Sequence, residues 1–305
     1  MGKRPDRLWQ DAQMAQPLIA ITGAAGTVGG LTAERLADQG ANLRLIVREA
    51  AQAPKIAGVD LATASDYGAT DEMTEALKGV DTLFFVSGRE QANRLEQHYS
   101  VIDAAAAADI SRVVYTSFCG AAPNAIFTLA RDHYATEEAI KQSGISWVFQ
   151  RQNLYADVLP YFADAEGIIR GPAGDGRFAP VTRSDVADVA VRLLTDDSRD
   201  GEIFNITGPE RVSMRHVANR LTALTGKFFE YQQESEEDAY RSREPFGAPD
   251  WQVEAWVSTY LAISEGELDL VTDSTELLTG HPPQSFEQYV TEHPESWAHV
   301  TRVAP

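Results

Sequence analysis

The sequence predicts an α/β protein, in which helices wind over both faces of a largely parallel β-sheet and a small, mostly helical lobe follows. Three observations carry that expectation. From Pro17 onward, short apolar runs alternate with stretches of helical period, which is the rhythm of βαβ units. The runs hold almost no charge, as strands do when helices cover both faces. A glycine-spaced turn, Gly23–Gly29, separates the first run from the first helical stretch. That is the arrangement of a Rossmann-type, doubly wound sheet.

Residues 1–16 read as an extension outside the fold, polar and without periodicity. A Rossmann domain is expected over residues 17–206 and the C-terminal lobe over 207–305. Leu18–Thr22 is the first strand, and a helix runs from the glycine turn to about Asp38, stopped by Gly40. Strands are expected at Asn42–Val47, Val59–Ala64 and Thr82–Ser87, then a long helix over Glu90–Ala108. Ser111–Thr116, a helix over Ala130–Ser143, and Ser146–Gln150 continue the alternation. Residues 156–178, rich in glycine and proline, read as a loop-rich insertion over the sheet's edge on the substrate side. Ser184–Leu194 is a helix with Ser184 or Asp185 as its cap, Glu202–Thr207 a late strand and Ser213–Thr225 another helix. Trp251, Trp256 and Tyr260 share a helical stretch in the lobe, where both tryptophans read as packing residues.

Composition narrows the function. Of 305 residues, 44% are hydrophobic and 23% charged, and 26 Lys and Arg face 45 Asp and Glu for a net charge of −19. Nucleic acids and anionic membranes are held by clustered cations, so neither is an expected partner. One cysteine, Cys119, excludes an intramolecular disulfide, and the scattered histidines show no metal-ligand spacing. No apolar run approaches the ~18 residues of a membrane helix, and the N-terminus lacks a signal-peptide core. A cytoplasmic protein with a small-molecule substrate is the expectation. The chain admits a homodimer without requiring one.

The chemical signal is ITGAAGTVGG at 21–30. Gly23 permits the tight turn, Gly26 lets backbone approach a pyrophosphate, and Gly29 lets helix and strand pack closely. The intervening Ala25, Thr27 and Val28 would then offer amides to the phosphates at a positive helix end. The tip of the second strand selects the dinucleotide. An NAD site usually has a carboxylate there and an NADP site a cation. Here Arg48 stands there, followed by Glu49. The planar guanidinium suits a 2′-phosphate, so NADP(H) is the expected cofactor; the alternative is a solvated surface arginine. Asp66–Tyr67 would flank the adenine or simply form a turn.

Together with LIVREA, VVYTSF, HYATEEAIKQSGI and RQNLY, these motifs resemble the atypical short-chain dehydrogenase/reductases of the NmrA-like group, including the NADPH-dependent quinone oxidoreductase 2 type. The resemblance covers most of residues 17–225. It implies that Ser87 and Gly88 run past the cofactor's ribose and that Ser117 and Phe118 face the nicotinamide. It also implies that Arg151, Asn153 and Tyr155 close around nicotinamide and substrate. For Ser117, hydrogen bonding within its own loop is an equal alternative.

The chain departs from the wider dehydrogenase family by lacking Tyr-x-x-x-Lys; Tyr134 is followed by Glu138 at that spacing. His133 occupies the slot where NmrA-like relatives carry Lys or His. Near its ordinary pKa it would donate a proton at neutral pH; the alternative is a structural histidine. Reducing a ketone makes an alkoxide that needs a matched acid, whereas a quinone, enone or imine spreads the charge or needs little protonation. The expected activity is therefore NADPH-dependent hydride transfer to a small conjugated electrophile, with His133, Ser117, Asn153 and Tyr155 around the reacting atoms. A non-catalytic NADP(H) sensor and a nicotinamide-recycling isomerase or epimerase are the rivals.

Overall fold

The computed structural model describes residues 16–304, so the proposed extension, Gln16 apart, lies outside the described residues. In chain order the strands of the main sheet are β1 (Leu18–Thr22), β2 (Asn42–Val47), β3 (Asp60–Thr63), β4 (Thr82–Phe85), β5 (Arg112–Phe118) and β6 (Ser146–Gln152). β7 (Ile168–Gly171) leaves that sheet, and β8 (Ile203–Ile206) returns to it. All neighbours pair parallel, in the spatial order β3-β2-β1-β4-β5-β6-β8. The order reverses between β1 and β4. Loops leaving those two strands diverge and open a crevice at the carboxyl edge.

Strand periodicity decides what faces each helix layer. Ile21, Val114 and Val148 pack on one side with Val28 and Leu36 of α1 (Thr27–Asp38) and with Val186 and Val189 from a later helix, Arg183–Thr195. Phe85, Tyr115 and Phe149 pack on the other with α2 (Thr70–Leu77), α3 (Arg94–Ala107) and α4 (Thr128–Ser143), through Met73, Val101 and Ile140. The Arg183–Thr195 helix is α5. Its cap is Thr182, not Ser184 or Asp185: Thr182 Oγ1 accepts from the Asp185 amide (3.1 Å) and donates to its carboxylate (2.8 Å). That reciprocal pair satisfies an otherwise orphaned amide.

Beyond β8 come α6 (Met214–Thr225), β9 (Glu230–Gln233), α7 (Glu236–Arg243), α8 (Asp250–Ser264), α9 (Ser274–Thr279) and α10 (Phe286–Glu292). The segment at 156–178 is more than a loop. Its strand β7 pairs with β9 in a second sheet, and Leu159, Ile169 and Phe178 share a core with Leu221, Tyr260 and Phe286. In the other direction, α9 reaches back to the main sheet, where Leu278 joins its core and accepts a hydrogen bond from Arg192 (3.0 Å).

Three further differences from the sequence expectation bear on the site. α2 was not expected, although Met73, Ala76 and Leu77 show its buried face at helical spacing. α3 starts at Arg94, four residues later than expected from Glu90. β5 and β6 each run two residues past their expected ends at Thr116 and Gln150. Phe149, fully buried, stacks on Trp147 at 4.2 Å and meets Tyr115 edge-on. Phe149→Ala is expected to lower stability by about 3–5 kcal/mol, read as a loss in chemical-denaturation midpoint.

Candidate active site

The crevice begins at the turn after β1. Gly23 has φ +61°, a conformation that side chains other than glycine's rarely take, and its carbonyl accepts from the Gly26 amide (2.9 Å). A Cβ on Gly29 would stand 2.5 Å from that carbonyl oxygen, and one on Gly26 at 3.2 Å. Gly26 caps α1 with no side chain, and the first turn carries no acidic residue. The first-turn amides therefore have no side-chain acceptor among the described residues. Ala25, Gly26 and Thr27 are exposed, while Val28 and Gly29 are buried. A diphosphate fits this end chemically and sterically.

Arg48 follows β2 and is exposed. Asp66 forms an Asx turn, its Oδ1 accepting from the Gly68 amide (2.6 Å). Tyr67 turns inward, donates to the Val86 carbonyl (2.8 Å) and packs near Gly23; burial pushes its pKa up to about 12.

The loop after β4 is anchored from three sides. The Ser87 amide donates to Thr116 Oγ1 (2.7 Å), and the Gly88 amide to His98 Nε2 (2.9 Å). The Gly88 carbonyl accepts from Arg94 Nε (3.1 Å). Arg94 is buried and also reaches Asp132 (3.2 Å) and His133 Nε2 (3.0 Å). Sequence reading missed Arg94 and His98 because their helix was only a periodic stretch; nothing in its pattern marks a cation turned inward.

That network corrects the expectation for His133. A guanidinium only donates, so His133 Nε2 accepts and its proton sits on Nδ1, facing the Tyr115 hydroxyl (2.9 Å). Burial first, then the charge of Arg94, holds its pKa well below 6.5. Both effects favour the neutral imidazole, which does not fit the expected proton donor.

From Ser87 and Gly88 a cavity of about 890 Å³ runs into the lobe. Phe118, His133, Asn153 and Tyr155 are in its wall. Asn153 is locked, its Nδ2 donating to the Leu268 carbonyl (3.0 Å) and its Oδ1 accepting from the Leu154 amide (2.8 Å). Burial pushes the Tyr155 phenol up to about 12. The far end is aromatic, with Phe162, Tyr260 and Trp256. Trp256 thus lines the cavity, which its expected packing role did not include.

Ser117 and Arg151 are not in that wall. Because β5 and β6 extend two residues, these two sit inside the ladder, directly paired. Alternation puts them on the face of Tyr115 and Phe149, toward α4. There Glu137, fully buried, accepts from Ser117 Oγ (2.5 Å) and from Arg151 through both oxygens (2.8 and 2.5 Å). Both side chains are thus held by Glu137 under the strand ends, away from the cavity where they were expected. The next residue, Gln152, points the other way into the cavity wall, and its Oε1 is buried without a partner among the described residues. An acceptor left open there fits a carboxamide, such as that of a nicotinamide.

Tyr134, one residue along α4 from His133, lines a separate depression on the outer surface. Among the described residues no cluster of His, Cys, Asp and Glu could hold a metal, and no helix is long and apolar enough to cross a membrane.

Bare helix amides at a strand-order reversal, leading to an aromatic cavity, define a dinucleotide-dependent protein of the Rossmann class. A model of the NAD(P)H-binding family matches residues 23–197. The chain belongs to that family, within the atypical short-chain dehydrogenase/reductases of the NmrA-like and quinone oxidoreductase 2 group. It is 32% identical over 282 residues to quinone oxidoreductase 2 of Escherichia coli, covering 90% of this chain and 98% of that one. The E. coli NADPH-dependent quinone oxidoreductase complexed with NADPH superposes with a TM-score of 0.82, over 90% of this chain and 99% of that one. Triphenylmethane reductase of Citrobacter sp., complexed with NADP(H), gives 0.79 at 30% identity, over 90% and 99% of the two chains. NmrA, a negative transcriptional regulator complexed with NAD, shares the fold at 16% identity and a TM-score of 0.72, over 91% and 95%.

Two predictions follow from this geometry. Gly29→Ala drives a methyl against the Gly23 carbonyl, so the dissociation constant for NADPH should rise at least about tenfold with the fold retained; fluorescence titration and circular dichroism read the two effects. His98 and His133 are both held neutral, with pKa values well below 6.5. Below that pH the unfolded chain binds more protons than the folded one, so their contribution is intact above about 6.5 and lost as pH falls. The urea midpoint should drop between about pH 7.5 and 5.5, and drop less steeply in His133→Gln.

Proposed function

We propose that the chain is an NADPH-dependent reductase of small conjugated electrophiles, with quinones as the acceptor class to test first. One observation carries the reading: the cavity leading from the Ser87–Gly88 loop has an aromatic wall, but its Tyr155 and His133 are both poor acids at neutral pH. Tyr155 is pushed up to about 12 and His133 is held neutral. Such a wall suits an acceptor whose reduced form delocalises its charge and takes its proton from water. It suits a simple ketone badly.

The bound nicotinamide would supply the hydride; the chain's residues do the rest. Gly23, Gly26 and Gly29, with the amides of Ala25, Thr27 and Val28, would hold the diphosphate, and Arg48 the 2′-phosphate. Gln152 Oε1 would orient the carboxamide, while Phe118 and Tyr155 confine the ring. Arg94, fixed by Asp132 and His133, keeps the Ser87–Gly88 backbone in place, and its positive charge in the wall would favour an acceptor oxygen that gains electron density. Positioning the acceptor at a reactive distance of about 3–3.5 Å is the main contribution.

Stopped-flow loss of nicotinamide absorbance is the test. Benzoquinone and naphthoquinone should be reduced faster than background and acetophenone should not. No acceleration with any acceptor overturns the reading. Arg48→Glu should weaken NADPH binding about 30-fold, as for loss of a charged hydrogen bond of about 2 kcal/mol, and leave NADH nearly unchanged. Equal loss of both would remove Arg48 as the selector.

A further inference from the structure

The chain carries a strong negative excess, yet arginines crowd the cavity wall. Arg94, Arg170 and Arg243 are each matched by a carboxylate, Asp132, Asp164 and Glu234 respectively. Arg89 is exposed at the mouth. Arg183 differs from all four. It is half-buried in the cavity wall, and its guanidinium has neither an ion pair nor a hydrogen bond among the described residues. One oxygen of Asp157 accepts from the Arg183 backbone amide (2.9 Å), and no ion pair joins that carboxylate to the Arg183 side chain.

The side chain is nonetheless placed. Tyr155 bridges to Val181 at the strand ends, and Arg183 lies over the Tyr155 ring at 4.7 Å from its centroid. Stacking fixes the plane of the fork but leaves its N–H groups free along the edge. A half-buried guanidinium with no ion pair among the described residues keeps N–H groups open to an anion in the cavity. The arrangement is that of a site whose counter-ion arrives with a ligand.

We infer that Arg183 recognises an anionic group, a carboxylate, sulfonate or phosphate, on the acceptor itself. The inference rests on the reductase reading and narrows its substrate class to conjugated electrophiles bearing a negative charge beside the reacting ring. Two sources could offer such an anion: the acceptor and the cofactor's diphosphate. Placement favours the acceptor. The diphosphate already has the α1 amides, whereas Arg183 shares the cavity wall with Tyr155, Tyr161 and the lobe residues Trp256 and Tyr260.

The experiment compares the full-length protein with Arg183→Gln and Arg183→Lys, using 1,4-naphthoquinone and its 2-sulfonate as a matched neutral and anionic pair. In Arg183→Gln, KM for the sulfonate should rise about tenfold or more, while KM for the neutral quinone and for NADPH changes less than about twofold. Arg183→Lys should recover part of the loss. With NADPH saturating, added salt of about 0.5 M should raise the sulfonate's KM and leave that of the neutral quinone nearly unchanged. Equal losses with both acceptors would make Arg183 structural, and a rise in the NADPH KM would assign it to the cofactor; either overturns the inference, as does no change. Calorimetric titration of the NADP⁺ complex with 2-naphthalenesulfonate, which cannot be reduced, scores the anion site without turnover. Sulfonate binding that depends on Arg183, in a protein that reduces no quinone, would keep the anion site and discard the reductase; quinone reduction without such binding would do the reverse.

Discussion

One close approach organises the ligand-binding edge. The Gly23 carbonyl accepts from the Gly26 amide while the Gly29 backbone passes where a methyl would collide with it. Helix α1 can start directly under the tip of β1 only because those positions carry no side chains. Its first amides therefore end at the reversal of strand order, with their dipole aimed into the crevice. Moving that helix by the width of a methyl would shift the phosphate site relative to Ser87 and Gly88, and hence a nicotinamide relative to the aromatic cavity.

The second constraint is electrostatic. Arg94 is buried at the crevice, and its charge is distributed over a carboxylate, a backbone carbonyl and a neutral imidazole. Burying a cation is tolerable when each donor has an acceptor. Burial and then the charge of Arg94 keep both histidines unprotonated, and the network ties three elements, the loop after β4, α3 and α4, to one another. Glu137 does the corresponding work under β5 and β6, where it neutralises Arg151 and fixes Ser117. A chain so acidic overall thus keeps a cationic lining where an electron-accepting ligand would sit.

Much of the frame was legible in the residues. The order of strands and helices, the glycine turn and the arginine after β2 all follow from local pattern, because period-two and helical spacing and glycine's φ freedom are written position by position. The two-residue shortfall at the ends of β5 and β6 shows where such reading stops. It turned Ser117 and Arg151 into apparent loop residues over the cofactor, when the sheet ladder carries them down to Glu137. The cap of α5 moved for a similar reason: Thr182 and Asp185 satisfy each other reciprocally, and composition alone does not distinguish that pair from its neighbours.

The amino-acid order by itself determined the class of fold, the nucleotide turn and the absence of a Tyr-x-x-x-Lys pair, since each is a matter of residues adjacent or nearly adjacent in the chain. Only the tertiary structure decided that His133 is a neutral acceptor, that Gln152 faces the cavity and that Arg183 has no counter-ion among the described residues. Those properties depend on which groups from distant elements arrive within hydrogen-bond reach and how much water they exclude. Protonation and unpaired charge are set by surroundings, and surroundings exist only after the chain has closed on itself.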